Sequence, residues 1–250
     1  MRVDVYFGPQ EVAASDVANK VVAIIDVLRA STSIAAALAN GARAVIPLAS
    51  SEEVVSRAKS LARSEVRLAG ERKMLTIPGF DFGNSPLEFT KEAVEGKTIL
   101  MSTTNGTAAV LAVQGARDVV IASYVNLSAA LTMLRAALRG GTDVAIVCAG
   151  HERHYALEDA ACAGLFVQHI TTKHTKAETN DAAQTAMLIN KKYGENLKRV
   201  FRESAHGAAL ADAGFANDLV ACADVDSYPV LPVYQERQIV KLGPPPERAR

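Results

Sequence analysis

Acids, guanidinium groups and hydroxyls recur together along this chain, each time where an apolar run stops. The first group is Asp26, Arg29, Ser31 and Thr32, directly after Val21-Val22-Ala23-Ile24-Ile25. The second is Glu71-Arg72, followed by Asp81 and Asn84 within Ile77-Pro78-Gly79-Phe80-Asp81-Phe82-Gly83-Asn84-Ser85. The third is Ser102-Thr103-Thr104-Asn105-Gly106-Thr107. The fourth is His151-Glu152-Arg153-His154 with Glu158-Asp159, and a fifth polar group, outside this repeat, holds Ser204, His206-Gly207, Phe215 and Asp218. Arginines and helix starts receive anions, the former bidentately. Carboxylates need a reason to stand beside them, and a divalent cation supplies one. Oxygen donors favour Mg²⁺ or Mn²⁺, and no Cys/His set points to zinc. The chemistry indicated is that of a small, multiply anionic substrate, a phosphate ester, handled with Mg²⁺.

Each cluster also has an ordinary structural reading. Ser31 or Thr32 can cap a helix that Gly41 ends. Asp81 can hold its own turn. The hydroxyl-rich run 102–107 resembles a phosphate nest in composition, but it lacks the GK[ST] element of a P-loop and can be a plain helix cap. Glu158 and Asp159 suit a first helical turn, where the dipole favours acids. His151 and His154 lack a ligand partner in sequence. His206 can be a site acid or base, or an ordinary hydrogen-bonded residue.

The elements that would position these groups alternate. Strands are expected at 2–7, 21–27, 42–48, 66–71, 97–103, 118–124 and 143–149, with helices between them and a helix from Leu157 to about Thr172. That is the pattern of a largely parallel sheet covered on both faces. Right-handed crossovers put all strand C-termini on one edge, where open α/β sheets bind ligands. The connection 72–84 is longer than most strand-to-helix loops, and such loops are often functional. Ser50/Glu53 and Ser85/Glu88 read as capping boxes, the second with Pro86 at the first helical position. After Lys173 the pattern changes. Helices are expected at 180–193 and 195–205, short strands at 218–225, 230–234 and 238–242, and a disordered tail at 243–250. One domain, 1–242, with a C-terminal α+β elaboration is the expectation.

Composition narrows the class. The 250 residues can bury a sizeable core. Lys+Arg and Asp+Glu are equal at 27 each, which leaves no global electrostatic case for nucleic acid or an anionic membrane. No run reaches transmembrane length and MRVDVYFGPQ is not a signal peptide pattern, so a cytoplasmic protein is expected. Cys148, Cys162 and Cys222 lack CxxC spacing and read as small buried residues. A homo-oligomer is compatible with the sequence and is not specified by it.

Several of these motifs together resemble the 2-phosphosulfolactate phosphatase family, the ComB-like proteins. They are Asp26-Val27-Leu28-Arg29-Ala30-Ser31-Thr32, Gly70-Glu71-Arg72, Pro78-Gly79-Phe80-Asp81-Phe82-Gly83-Asn84-Ser85-Pro86, Thr104-Asn105-Gly106-Thr107, Glu158-Asp159 with Cys162-Ala163-Gly164, and His206-Gly207 followed by Gly214-Phe215 and Asp218. The likeness is collinear from about residue 3 to 242. It implies a three-layer α/β/α sandwich, distinct from the haloacid-dehalogenase phosphatases, whose DxDx[TV] motif is absent here. It also implies Mg²⁺-dependent hydrolysis of 2-phospho-3-sulfolactate to sulfolactate and phosphate, a step toward coenzyme M. Phosphate, sulfonate and carboxylate on one substrate would account for three loop arginines.

Asp26, Asp81, Glu158, Asp159 and His206 are the candidate catalytic residues. Mg²⁺ is expected on Asp26, Asp81 and Glu158 or Asp159, with Glu71 either a further ligand or the salt-bridge partner of Arg72. Arg29, Ser31, Thr32, Arg72, Asn84, Thr104, Asn105, Gly106, Thr107 and Arg153 are the candidate substrate contacts. Direct attack by water and a covalent phospho-aspartate both remain open. So do a phosphatase for another small phosphorylated acid, a phosphotransferase or lyase, and a non-catalytic anion-binding protein.

Overall fold

The computed structural model describes residues 1–171, 175–194 and 196–243, without the side chain of Thr107. The expected disordered tail, and the expected helix ends at Thr172 and Glu195, fall at or beyond the limits of the described residues; of the tail only Gly243 is described.

Among the described residues, eleven strands form one sheet: β1 (Arg2–Tyr6), β2 (Val21–Ile25), β3 (Ala44–Pro47), β4 (Val66–Arg72), β5 (Leu75–Thr76), β6 (Thr98–Ser102), β7 (Asp118–Ala122), β8 (Val144–Cys148), β9 (Glu178–Thr179), β10 (Pro232–Gln235) and β11 (Gln238–Lys241). The helices are α1 (Ala14–Val17), α2 (Ala30–Ala39), α3 (Ser51–Ala58), α4 (Lys91–Val94), α5 (Gly106–Ala112), α6 (Leu127–Arg139), α7 (Leu157–Ile170), α8 (Asp181–Tyr193), α9 (Leu197–Glu203), α10 (Ala205–Leu210) and α11 (Ala216–Cys222). The strand order is β5-β4-β6-β3-β11-β10-β7-β2-β8-β1-β9. Pairing is parallel except around the β10–β11 hairpin and at β4–β5.

Strand β2 explains the layering. All five of its residues are buried. Val21, Ala23 and Ile25 face one apolar cluster, with α6, α7 and α8 residues such as Leu134, Phe166 and Ala186. Val22 and Ile24 face the other, with Ile34 and Leu38 of α2 and Val110 of α5. A side-chain period of two therefore feeds two cores, and a strand apolar on both faces is what that requires. The expected α/β/α sandwich with a largely parallel sheet is what forms. Among the described residues, no helix is long and apolar enough to cross a membrane.

The C-terminal region departs from expectation twice. The segment 218–225 is not a strand: Asp218 and Cys222, one helical turn apart, are both buried on α11 while Val220 is 58% exposed. Its valines suggested β structure, and the period of burial made it a helix. The hairpin β10–β11 lies inside the sheet, antiparallel between β7 and β3, with Val233 opposite Val120 and Ile239 opposite Val45.

Two helix starts also differ in detail. Ser31 and Thr32 do not cap α2, which begins at Ala30. Asp26 does that work, its Oδ1 accepting from Ala30 N at 3.1 Å and its carbonyl from Ser31 N at 2.9 Å. Ser85 and Glu88 form the expected box, but over a single 3-10 turn, Pro86–Glu88.

Candidate active site

The C-terminal ends of β2, β4, β6 and β8 open into one cleft of about 460 Å³. Asp26, Arg29, Glu71, Arg72, Asn84, Thr104, Asn105, His151 and His206 line it. Five inter-strand steps separate β6 from β2, roughly 24 Å in a flat sheet at ~4.8 Å each. The segments that follow β2 and β6 nevertheless meet. A Cβ on Gly106, the first residue of α5, would stand 3.1 Å from Asp26 Oδ2 and 2.9 Å from Ala30 Cβ. Glycine is what lets α5 begin directly over the Asp26 carboxylate.

Asp26 is buried, and burial pushes its pKa up to about 6. Glu71 and Glu158 add to the rise, while His206 and the Ala30 N–H oppose it. Several acids facing one another around Asp26 is the electrostatic pattern of a cation site. Asn84 Oδ1 and Glu158 Oε2 are buried and lack a hydrogen-bond partner among the described residues. Among the described residues no three His, Cys, Asp or Glu side chains converge as a ready ligand set. Mg²⁺ needs none: it takes one or two carboxylates and completes its shell with water and substrate oxygens. Asp26 and Asn84 both line the cleft, and a carboxylate with a buried amide oxygen that lacks a partner among the described residues fits that mode.

His206, from α10, joins these loops. Its Nδ1 lies 3.1 Å from Glu158 Oε1, and its ring stacks on His151 at 3.9 Å with 20° between planes. Burial and the neighbouring His206 lower the His151 pKa. Arg29 is held on three sides. Its Nη1 donates to Asp218 at 2.7 Å, its Nη2 donates to the Met74 carbonyl at 3.1 Å, and its guanidinium lies 4.4 Å from the centre of the Phe215 ring.

Other candidates are placed elsewhere or already committed. Asp81 is not in the cleft. Residues 80–82 fold back along β4, so Asp81 Oδ2 accepts from Leu68 N at 2.7 Å and Oδ1 pairs with Arg63 at 2.6 Å. Asp159 is buried beneath the site, with its oxygens on Val27 N at 2.8 Å and Gly150 N at 3.0 Å. It ties the ends of β2 and β8 together. Glu71 is neither free nor paired with the Arg72 guanidinium: Oε1 accepts from Thr104 N at 2.9 Å and Thr104 Oγ1 at 2.8 Å, and Oε2 from Met74 N at 3.1 Å. Arg72 instead donates to the Glu71 carbonyl and to Ser102 Oγ.

Ser31 and Thr32 are buried behind the cleft, on Asp26 N and on the Val27 carbonyl and Ser123 Oγ. Asn105 Oδ1 accepts from Glu152 N. Arg153 is exposed and does not line the cleft. The Thr107 side chain lies outside the described residues. Lys73 and Met74 line the cleft although they belong to none of the clusters or motifs, and Leu28 and Glu152 line it although they were named only as members of a motif and not as candidate site residues. For Lys73 and Met74 the signal was weak, because a two-residue hairpin turn without Asn or Gly does not announce itself.

The family model for 2-phosphosulpholactate phosphatase matches residues 6–237. A Symbiobacterium thermophilum protein described as a probable 2-phosphosulfolactate phosphatase is 41% identical, over 92% of this chain and 97% of its own length. Proteins of the same description from Clostridium beijerinckii and Clostridium acetobutylicum are 36% and 34% identical, each over 96% of this chain and over 99% and 100% of their own lengths. Joined to a cleft built from the motifs that carried the resemblance, a match of this extent shows that the chain belongs to the 2-phosphosulfolactate phosphatase family, a family of phosphoric monoester hydrolases.

Proposed function

We propose that this chain hydrolyses the phosphate monoester of 2-phospho-3-sulfolactate, releasing 3-sulfolactate and phosphate, with Mg²⁺ as cofactor. The reading rests on one observation: a buried carboxylate of raised pKa, Asp26, shares a small cleft with Arg29, Arg72, Lys73 and a carboxylate-held histidine. Asp26, with the Asn84 oxygen, would hold the ion. The chemistry supplied by a Mg²⁺ held there would be neutralisation of phosphoryl charge.

The chain's own groups divide the remaining work. Arg29 and Arg72 present positive charge to the phosphate, and Arg29 is pre-oriented by Asp218 and Phe215. Glu158 fixes the His206 ring through Nδ1, which leaves Nε2 to give a proton to the departing alkoxide oxygen. Glu71 pins the Thr104 loop to the β4–β5 turn, so the two walls keep their spacing without being paid for at each turnover. The same reaction is a step toward coenzyme M, and a cytoplasmic location accords with it.

The test is phosphate release from racemic 2-phospho-3-sulfolactate with Mg²⁺ and with EDTA, beside phosphoglycolate, phospholactate and 3-phosphoglycerate. Mg²⁺-dependent release strongest on the sulfonate supports reaction, cofactor and substrate together. Release only from the other acids removes the assigned substrate, and silence across the panel from folded protein removes the hydrolase reading of this chain.

A further inference from the structure

The turn joining β4 to β5 consists of Lys73 and Met74, with φ of 51° and 69°. Two successive positive φ values are the geometry of a type I′ hairpin, which Asn-Gly adopts most easily. Here both positions carry long side chains. Met74 is accounted for: its N–H donates to Glu71, its carbonyl accepts from Arg29, and its side chain packs on the core. Lys73 has no hydrogen bond or ion pair among the described residues, yet it lines the cleft.

The other permanent cations of the cleft are engaged. Arg29 is paired with buried Asp218, and Arg72 donates to the Glu71 carbonyl and Ser102 Oγ. Lys73 is thus the cleft's lysine or arginine left uncommitted among the described residues. Its ammonium is a compact point charge on a flexible stem, at the exposed tip of a hairpin that Glu71 ties to the Thr104 loop. A group so placed can meet a charge that lies beyond the phosphate. We propose that Lys73 is a specificity-determining residue, recognising the second strong-acid group of the substrate, the sulfonate, and so selecting polyanionic esters over simpler phospho-acids. This rests on the phosphatase reading above.

The experiment compares wild type, Lys73→Asn and Lys73→Arg. Asparagine tolerates the left-handed backbone, so the turn is kept while the charge is removed. The substrates are 2-phospho-3-sulfolactate and phospholactate, which shares phosphate and carboxylate but lacks the sulfonate. Lys73→Asn should raise KM for the sulfonate five- to thirtyfold, with a much smaller change in kcat. The loss of kcat/KM on phospholactate should be at least fivefold smaller, and Lys73→Arg should restore most of the difference. Equal losses on both substrates, or no change in KM, overturns the proposal. Calorimetric binding of 3-sulfolactate and of lactate runs beside it. If wild type turns over neither ester, the phosphatase reading fails by itself. Weaker sulfolactate binding by Lys73→Asn then still supports the role of Lys73, and unaltered binding ends it.

Discussion

Arg29 Nη1 and Asp218 Oδ2 meet at 2.7 Å, both side chains almost wholly buried, across 189 residues of sequence. The other Asp218 oxygen accepts from Ser85 Oγ at 2.6 Å. One carboxylate on α11 therefore joins the loop after β2 to the loop that carries Asn84. The C-terminal elaboration is a wall of the site as much as an extension of the sheet.

Replacing Asp218 by Ala strands a buried guanidinium. Losing one partner of such a pair costs about 3–5 kcal/mol, which in a chain of this size lowers Tm by roughly 6–20 °C. Thermal and urea unfolding would measure it. A variant that unfolds like wild type would mean that Arg29 finds solvent or another partner. Arg29→Lys keeps the charge but not the fork that reaches both Asp218 and the Met74 carbonyl, so it should lose stability and activity together.

The Glu158–His206 contact predicts two different phenotypes. His206→Asn should lower kcat by about 10²–10⁴ with a small change in KM, the span usual for a general acid. Glu158→Gln should lower kcat less and displace the limb of the pH–rate profile that reports the imidazole. A profile unmoved by Glu158→Gln would remove Glu158 as the group that orients His206.

His151 contributes an acid-sensitive part of the stability. Its folded pKa lies below the ordinary 6.5, first because of burial and then because of His206, with Glu152, Glu158 and Glu71 opposing. The unfolded chain therefore takes up the proton more readily, and stability is lost as pH falls from 6.5 toward the lowered folded value. Asp26, held up to about 6, takes up its proton in the folded state over the same range and offsets part of that loss, so the His151 contribution is read as a difference: from pH 7.5 to 5.5 the Tm of wild type should fall relative to that of His151→Asn. An equal drop in both proteins would assign the acid sensitivity to other groups.

Gly164 sits where α7 crosses α8, and a Cβ there would collide with the Ala186 carbonyl. Gly→Ala within a helix ordinarily gains about 0.5–1 kcal/mol. Here overpacking should reverse the sign and cost about 1–3 kcal/mol, readable as a lower urea midpoint. A stabilised Gly164→Ala protein would show that the helices can part at no cost.

Asp81→Ala should leave kcat and KM within about threefold of wild type while costing about 1 kcal/mol for the lost Leu68 and Arg63 contacts. Loss of turnover with an intact fold would return Asp81 to the chemistry.

Local pattern was enough for much of this protein. Val21–Ile25 is apolar on both faces and could only be a doubly covered strand, so Asp26 had to stand at its end. The same logic put Glu71, Arg72, Thr104 and His151 at one edge, because parallel strands with right-handed crossovers share that edge. Side-chain commitments were beyond local pattern. Asp81 and Asn84 lie three residues apart in one motif, yet one folds back on Leu68 and the other reaches the cleft, because residues 80–82 bond along β4. Asp159 and Glu158 are adjacent, but they lie on different faces of α7, so one holds backbone and the other holds His206. Hydrogen-bond partners of this kind sit 33, 48, 132 or 189 residues away. The type and placement of the reactive groups follow from period and punctuation in the chain; which of them are free to act is decided by contacts that exist only once the segments after distant strands have met.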